Sequence, residues 1–234
     1  MNKLKKYVDY KQFGLGILNF FIYLFVQIIF IKVFNNQINN GSALVTNLIF
    51  IASDLTVLIL LILIQRKRLI KDYHDFDLNY AKYLKIGIKY YLLGFIGMYV
   101  ANIVITLLVP NALANNEAIN RQAIFAYPAY SIIAMIVTGP FIEELVFRSS
   151  YQKAFKNKYW YIIFVTLLFA GMHVIPTLTS AYDLLYLIPY GCLSLSFAIT
   201  YYKTKNIFTT TIIHTFHNTI CVLLIIILKI FGLI

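Results

Sequence analysis

Residues Gly139-Pro140-Phe141-Ile142-Glu143-Glu144-Leu145-Val146-Phe147-Arg148 set two carboxylates and a guanidinium into a run that otherwise reads as a membrane helix. A charged side chain near the centre of a bilayer costs at least about 2.5–3.5 kcal/mol, so adjacent glutamates there need a compensating role, by default a functional one. On a helix Glu144 and Arg148 are four apart and share a face, so they can pair, while Glu143 is turned away by about 100° and is left for other work. The plainer alternative makes Arg148 the cytoplasmic end of its span and leaves the glutamates among lipid headgroups. The remainder of the chain decides between them.

Working outward, the surroundings are those of an integral membrane protein. Of 234 residues, 61% are hydrophobic and 12% charged, and the mean hydropathy of +0.77 lies outside the soluble range. The net charge of +11 does not indicate a nucleic-acid partner, because the basic residues gather in loops that alternate along the chain and report topology instead. Cys192 and Cys221 both fall in apolar runs, which excludes a disulfide framework and a paired-cysteine metal site. The first apolar run, 14–34, is too long for a signal-peptide core and lacks a small-residue cleavage site, so it reads as a retained span.

Seven runs are long enough to cross about 30 Å of hydrocarbon at about 1.5 Å per residue: 14–34, 44–65, 90–109, 128 to about 153, 159–175, 184–202 and 207–233. Lys3, Lys5, Lys6 and Lys11 precede the first, the next loop is uncharged, and the one after it carries Arg66, Lys67, Arg68, Lys71, Lys82, Lys85 and Lys89. Lys153, Lys156, Lys158, Lys203 and Lys205 continue the alternation, which sets the N-terminus in the cytoplasm. The expectation is an all-α membrane protein, a polytopic helical bundle of about seven transmembrane helices with eight as the upper count. Residues 1–234 form a single membrane domain, with additional N-terminal spans over 1–109. The 66–89 stretch reads either as an interfacial amphipathic helix or as a solvated linker. The many tyrosines near span ends read as interfacial anchors.

The second half carries further polar groups in apolar context: His173, and His214 with His217 and Asn218. A lone histidine in a membrane helix is commonly an interhelical hydrogen bonder. Here the spacing brings His214, His217 and Asn218 onto roughly one helix face, which can hold a developing oxyanion. Counting at the helical rise from the basic loops puts His173 about 22 Å deep and His214 about 13 Å deep. Glu143 joins them at about 15 Å if its helix runs on to about Lys153, but sits only about 7 Å deep if the helix stops at Arg148. Gly171 is read as a point of close helix approach. The Gly139-Pro140 pair is read as a kink, because proline cannot donate to the Ile136 carbonyl. Asp54, midway along the second run, has no partner that sequence can assign.

These are parts for attack of water on an amide. Glu143 takes the water's proton, Glu144 tied to Arg148 orients, His173 holds the water, and His214 with Asn218 steadies the oxyanion. Glutamate and histidine are also zinc ligands, but there is no His-Glu-x-x-His helix, so metal-assisted hydrolysis by a divalent ion such as zinc and metal-free hydrolysis both stay open. A proton or ion relay would use similar groups, yet no internal repeat of the kind transporters show is present.

Three motifs together resemble the CAAX protease and bacteriocin-processing family of intramembrane proteases. They are Glu143-Glu144-Leu145-Val146-Phe147-Arg148, Phe169-Ala170-Gly171-Met172-His173, and His214-Thr215-Phe216-His217-Asn218. The family-like core covers 128–218. Ser149 departs from the glycine common after the arginine, and His217 is not part of the pattern. The resemblance implies Glu143 and Glu144 as the water-activating pair and Arg148 as their structural partner, with His173, His214 and Asn218 completing the site. It implies an endopeptidase, acting within the lipid bilayer on a membrane-associated peptide or protein in bacteriocin maturation, self-immunity or peptide signalling. It also allows a second role, a non-catalytic regulator or scaffold that binds a membrane sensor kinase or another membrane protein. The abundance of Lys, Ile, Asn and Tyr suggests an AT-rich bacterial genome, hence a multi-pass protein of a bacterial cell membrane and a bacteriocin or pheromone precursor in preference to a prenylated substrate.

Overall fold

The computed structural model describes residues 7–109 and 113–233, so Lys3, Lys5 and Lys6 lie outside the described residues. Among the described residues six helices are long and apolar enough to cross a membrane. Leucines and isoleucines such as Leu63, Leu107, Leu167 and Ile230 are exposed on their outer faces, the inverse of a water-soluble surface and the arrangement a hydrocarbon solvent favours.

Helix α1, Tyr10–Val33, starts where the Asp9 carboxylate accepts from the backbone N–H groups of Lys11 and Gln12. A six-residue helix α2, Asn35–Asn40, leads to α3, Ala43–Leu108, a continuous helix of 66 residues. Of the two readings of 66–89, helix and solvated linker, the helical one holds, and the helix runs on unbroken from both spans: no proline and no glycine interrupts 44–86. A straight helix of that length would measure about 99 Å. Its contacts show instead that it crosses the bundle and returns. Asn47 Oδ1 accepts from the Tyr130 N–H, at the start of the 128–149 helix, and Ile105 packs with Val174 and Tyr186. Midway, Arg68 donates to the Ser149 carbonyl at 2.6 Å, and Asp72 accepts from the Ile207 N–H. Ser149 and Ile207 lie at the opposite end of those helices, so α3 supplies two crossings and the bundle has seven.

Residues 115–126, expected as loop, form helix α4, Asn115–Ala126, whose Ile124 is buried against Val222 and Ile225. The helix that carries the glutamates, Pro128–Ser149, is irregular. It consists of α5, Pro128–Ile133, a wide turn Ala134–Thr138, α6, Gly139–Glu143, and a second wide turn Glu144–Ser149. Wide turns pair each N–H with the carbonyl five residues back. It ends at Ser149 and not near Lys153, because Ser150 turns both its N–H and its hydroxyl onto the Leu145 carbonyl. The following segment pairs with the N-terminal strand-like stretch, Asp9 N–H to Ala154 O at 2.8 Å and Lys156 N–H to Tyr7 O at 3.0 Å.

Helices α7, Lys158–Val174, α8, Leu187–Thr204, and α9, Ile207–Ile230, follow the expected runs closely. Gly171 does not mark a helix contact, since a side chain there would meet only Ile175. Close approach falls at Gly94, where a Cβ would stand 2.6 Å from Ser196 of α8. The core gathers around Leu145, Val146, Phe147, Phe169 and Tyr201, with Leu61 of α3 against it.

Candidate active site

Glu144 and Arg148 are both fully buried and pair at 3.1 Å. Removing two charges from water is expensive, and the arginine is compensated on several sides. Its guanidinium donates to Ser194 Oγ of α8 at 3.0 Å and lies 4.1 Å over the Phe169 ring, a cation–π contact. Phe169 in turn stacks on His173 with ring centroids 4.1 Å apart. One phenylalanine four residues before the histidine thus separates the structural guanidinium from the imidazole, which gives the Phe-x-x-x-His spacing a physical reason.

The two histidines are oriented by groups that accept only. His173 Nδ1 lies 2.9 Å from the Phe169 carbonyl, and His214 Nδ1 lies 3.0 Å from Glu144 Oε1. A carbonyl and an arginine-paired carboxylate accept, so both rings carry their hydrogen on Nδ1 and turn the Nε2 lone pair the other way. Both Nε2 atoms face Glu143: His173 Nε2 is 4.0 Å from Oε1, and His214 Nε2 is 3.6 Å from Oε2. Three helices therefore bring Glu143, His173 and His214 to one point. This meeting is not set by equal counts from the membrane boundary, since the glutamate helix Pro128–Ser149, the fourth helix to cross when α3 is counted twice, ends early and the 150–157 turns carry the chain further before α7 begins.

Three acceptors facing one another need a hydrogen or a cation between them. Among the described residues no group of three His, Cys, Asp or Glu side chains, the Glu143–His173–His214 meeting included, has its donor atoms placed to hold a metal ion. As arranged, the donor set does not fit a zinc ion.

Asn218 serves the helix. In the wide turn Ala134 O accepts from the Gly139 N–H, so the Met135 carbonyl would take its partner from residue 140, which is proline and has none. Asn218 Nδ2 donates to that carbonyl at 2.8 Å. His217 is turned to α3, with Tyr91 Oη 3.2 Å from Nδ1 and Cys221 Sγ 3.6 Å from Nε2. Asp54 pairs with none of the histidines. Its carboxylate accepts from Gln27 and from Thr138, each at 3.2 Å. The sequence reading missed Ser194, whose signal is the row of small polar residues Ser194, Ser196, Thr200 and Thr204 buried along α8.

Glu143, His173, His214, His217, Asn218 and Asp54 line one cavity of about 620 Å³, which extends to Glu117 and Arg121 of α4. A chain of extended peptide fits such a volume.

Neither the curated proteins nor the solved structures contain a match to this chain. Residues 125–220 match the family model described as type II CAAX prenyl endopeptidase Rce1-like, a stretch that takes in all three motifs and bears out the resemblance to the CAAX protease and bacteriocin-processing family.

Proposed function

We propose that the protein is an intramembrane endopeptidase that hydrolyses a peptide bond in a membrane-associated peptide or protein. The observation that carries this reading is the convergence of the Glu143 carboxylate on two histidine Nε2 atoms at the wall of a peptide-sized cavity. A water molecule held among them donates one hydrogen to Glu143 and its oxygen attacks the substrate carbonyl carbon. Glu143 accepts the proton as the C–O bond forms. Glu143 passes that proton to His214 Nε2, 3.6 Å from its Oε2, and the new N–H donates to the tetrahedral oxyanion, a contribution of about 2.7–4 kcal/mol for one donor in other hydrolases. Glu144, fixed by Arg148, holds the His214 Nδ1–H and balances the imidazolium charge. His214 then passes this proton to the leaving nitrogen, the C–N bond breaks, and the carboxylic acid formed gives its own proton to the amine, so that a carboxylate and an ammonium leave. His173 orients the water, and Asn218 fixes the wide turn that aims Glu143.

The substrate proposed is a bacteriocin or signalling-peptide precursor in a bacterial membrane. Comparing membrane-peptide profiles of cells carrying the wild type, Glu143→Gln and His214→Ala at matched expression tests this. A precursor should accumulate in both variants, with turnover down at least about 100-fold for the loss of the general base. Identical profiles combined with a phenotype for deletion of the whole protein would replace catalysis by the scaffold role, with a sensor kinase or other membrane protein as partner.

A further inference from the structure

The cavity holds more charge than the hydrolysis uses. Its lining carries three carboxylates, Asp54, Glu117 and Glu143, against one guanidinium, Arg121, in a chain whose net charge is +11. Glu117 is matched by Arg121 at 2.6 Å, and Glu143 faces the two histidines. Asp54 is left over. It is 5% exposed and midway along the first crossing of α3, yet among the described residues no Lys, Arg or His lies within ion-pair distance of it. Its hydrogen bonds come from neutral donors alone, Gln27 on one oxygen and Thr138 on the other, whereas a carboxylate offers about four lone-pair sites. Tyr23 and Tyr130 line the cavity beside it.

A carboxylate with open lone pairs, flanked by tyrosines on a cavity wall, is the chemistry that recognises a cation: the carboxylate supplies the charge and ring faces add attraction. The cost of burying an unpaired carboxylate is returned when a cation arrives. Asp54 lies outside the stretch 125–220, so the three motifs do not account for it.

We infer that Asp54, with Tyr23, Gln27 and Tyr130, forms a subsite that receives a lysine or arginine side chain of the peptide entering the cavity. This deepens the proposed function and rests on its reading of the cavity as a peptide site. It sets the substrate class: a basic residue near the bond to be cut is favoured, and an acidic residue in that position meets two like charges, Asp54 and Glu143.

The test uses the full-length protein in neutral detergent, with decylammonium and decanol as probes of equal chain length. Ligand-dependent melting temperatures give their affinities. The wild type should bind the ammonium at least about tenfold more tightly than the alcohol, as expected for pairing a buried charge. Asp54→Asn should remove that preference and Asp54→Glu should keep it. Equal affinity of the two probes for the wild type overturns the subsite without any variant. A preference lost in Glu143→Gln but kept in Asp54→Asn overturns it as well, by assigning the cation to the other carboxylate. Because the binding needs no turnover, it can succeed where the precursor experiment fails, and the reverse, so the two readings are separable.

Discussion

At the scale of single residues, Arg148 carries the greatest burden. It is the largest fully buried side chain, and its charge is answered by Glu144, Ser194 and two aromatic rings. Lysine cannot reproduce this, because an ammonium has neither the planar fork nor the flat face that lies on Phe169. Arg148→Met removes one partner of a buried pair and strands Glu144 at zero exposure, which costs about 3–5 kcal/mol. Thermal unfolding in detergent should show this as a large drop in melting temperature, with Arg148→Lys intermediate. An Arg148→Met protein as stable as the wild type would mean that Glu144 is neutral and that the ion pair is not what holds His214. Glu144→Gln is the companion change. It keeps the shape, weakens the hold on the His214 Nδ1–H, and should lower turnover with a smaller loss of stability than Arg148→Met.

At the scale of elements, the wide turn before Pro140 couples the fourth helix to α9. The Met135 carbonyl lacks an intrahelical donor because residue 140 is proline, and Asn218 supplies one. Asn218→Ala leaves that part-buried carbonyl without its donor, a loss of about 1 kcal/mol or more. Pro140→Ala restores an N–H within the helix, so in that background the same Asn218 change should cost clearly less. A double-mutant cycle on stability measures the difference, and additivity within about 0.5 kcal/mol would deny the coupling. Pro140→Ala should also reduce turnover while the protein stays folded, since closing the turn rotates Glu143 away from the histidines. Much of this element was legible in the sequence. A break in helix regularity at Gly139-Pro140 and the Glu144–Arg148 pairing follow from local spacing, although the carbonyl left for an outside donor is that of Met135 and not of Ile136, and His173 and His214 stood out as polar groups in apolar runs. The first wide turn was not legible, because its open carbonyl is met by Asn218, 83 residues further along the chain. Nor was the end at Ser149, which is set by Ser150 bonding back to Leu145. Helix α4 was hidden because its sequence is polar and its only buried anchor, Ile124, is recognisable once Val222 and Ile225 are beside it.

At the scale of the whole molecule, α3 is the frame. Hydropathy marks its two crossings, charge alternation assigns their directions, and the helical reading of 66–89 holds, but nothing in the sequence predicts that this helix is continuous with both spans and bolted to the bundle. Arg68 bonds the Ser149 carbonyl and Gln152, Asp72 receives the Ile207 N–H, and Asn206 donates to the Asp72 carbonyl. These contacts tie the ends of the fourth and last helices to the turn of α3, so the frame fixes the depth of Glu143 against His214. If α3 crosses and returns, its two ends share one side of the membrane and its middle the other. Single cysteines at Leu44, Leu108 and Lys71, in a background with Cys192→Ser and Cys221→Ala, make this measurable in intact cells. A membrane-impermeant maleimide added outside should label the first two and spare Lys71→Cys until the membrane is opened, as the basic middle stretch requires of a cytoplasmic turn. Labelling of only one end would mean a single crossing and six spans in all, and if that end is Leu108→Cys, an N-terminus on the opposite side from the one the charges assign.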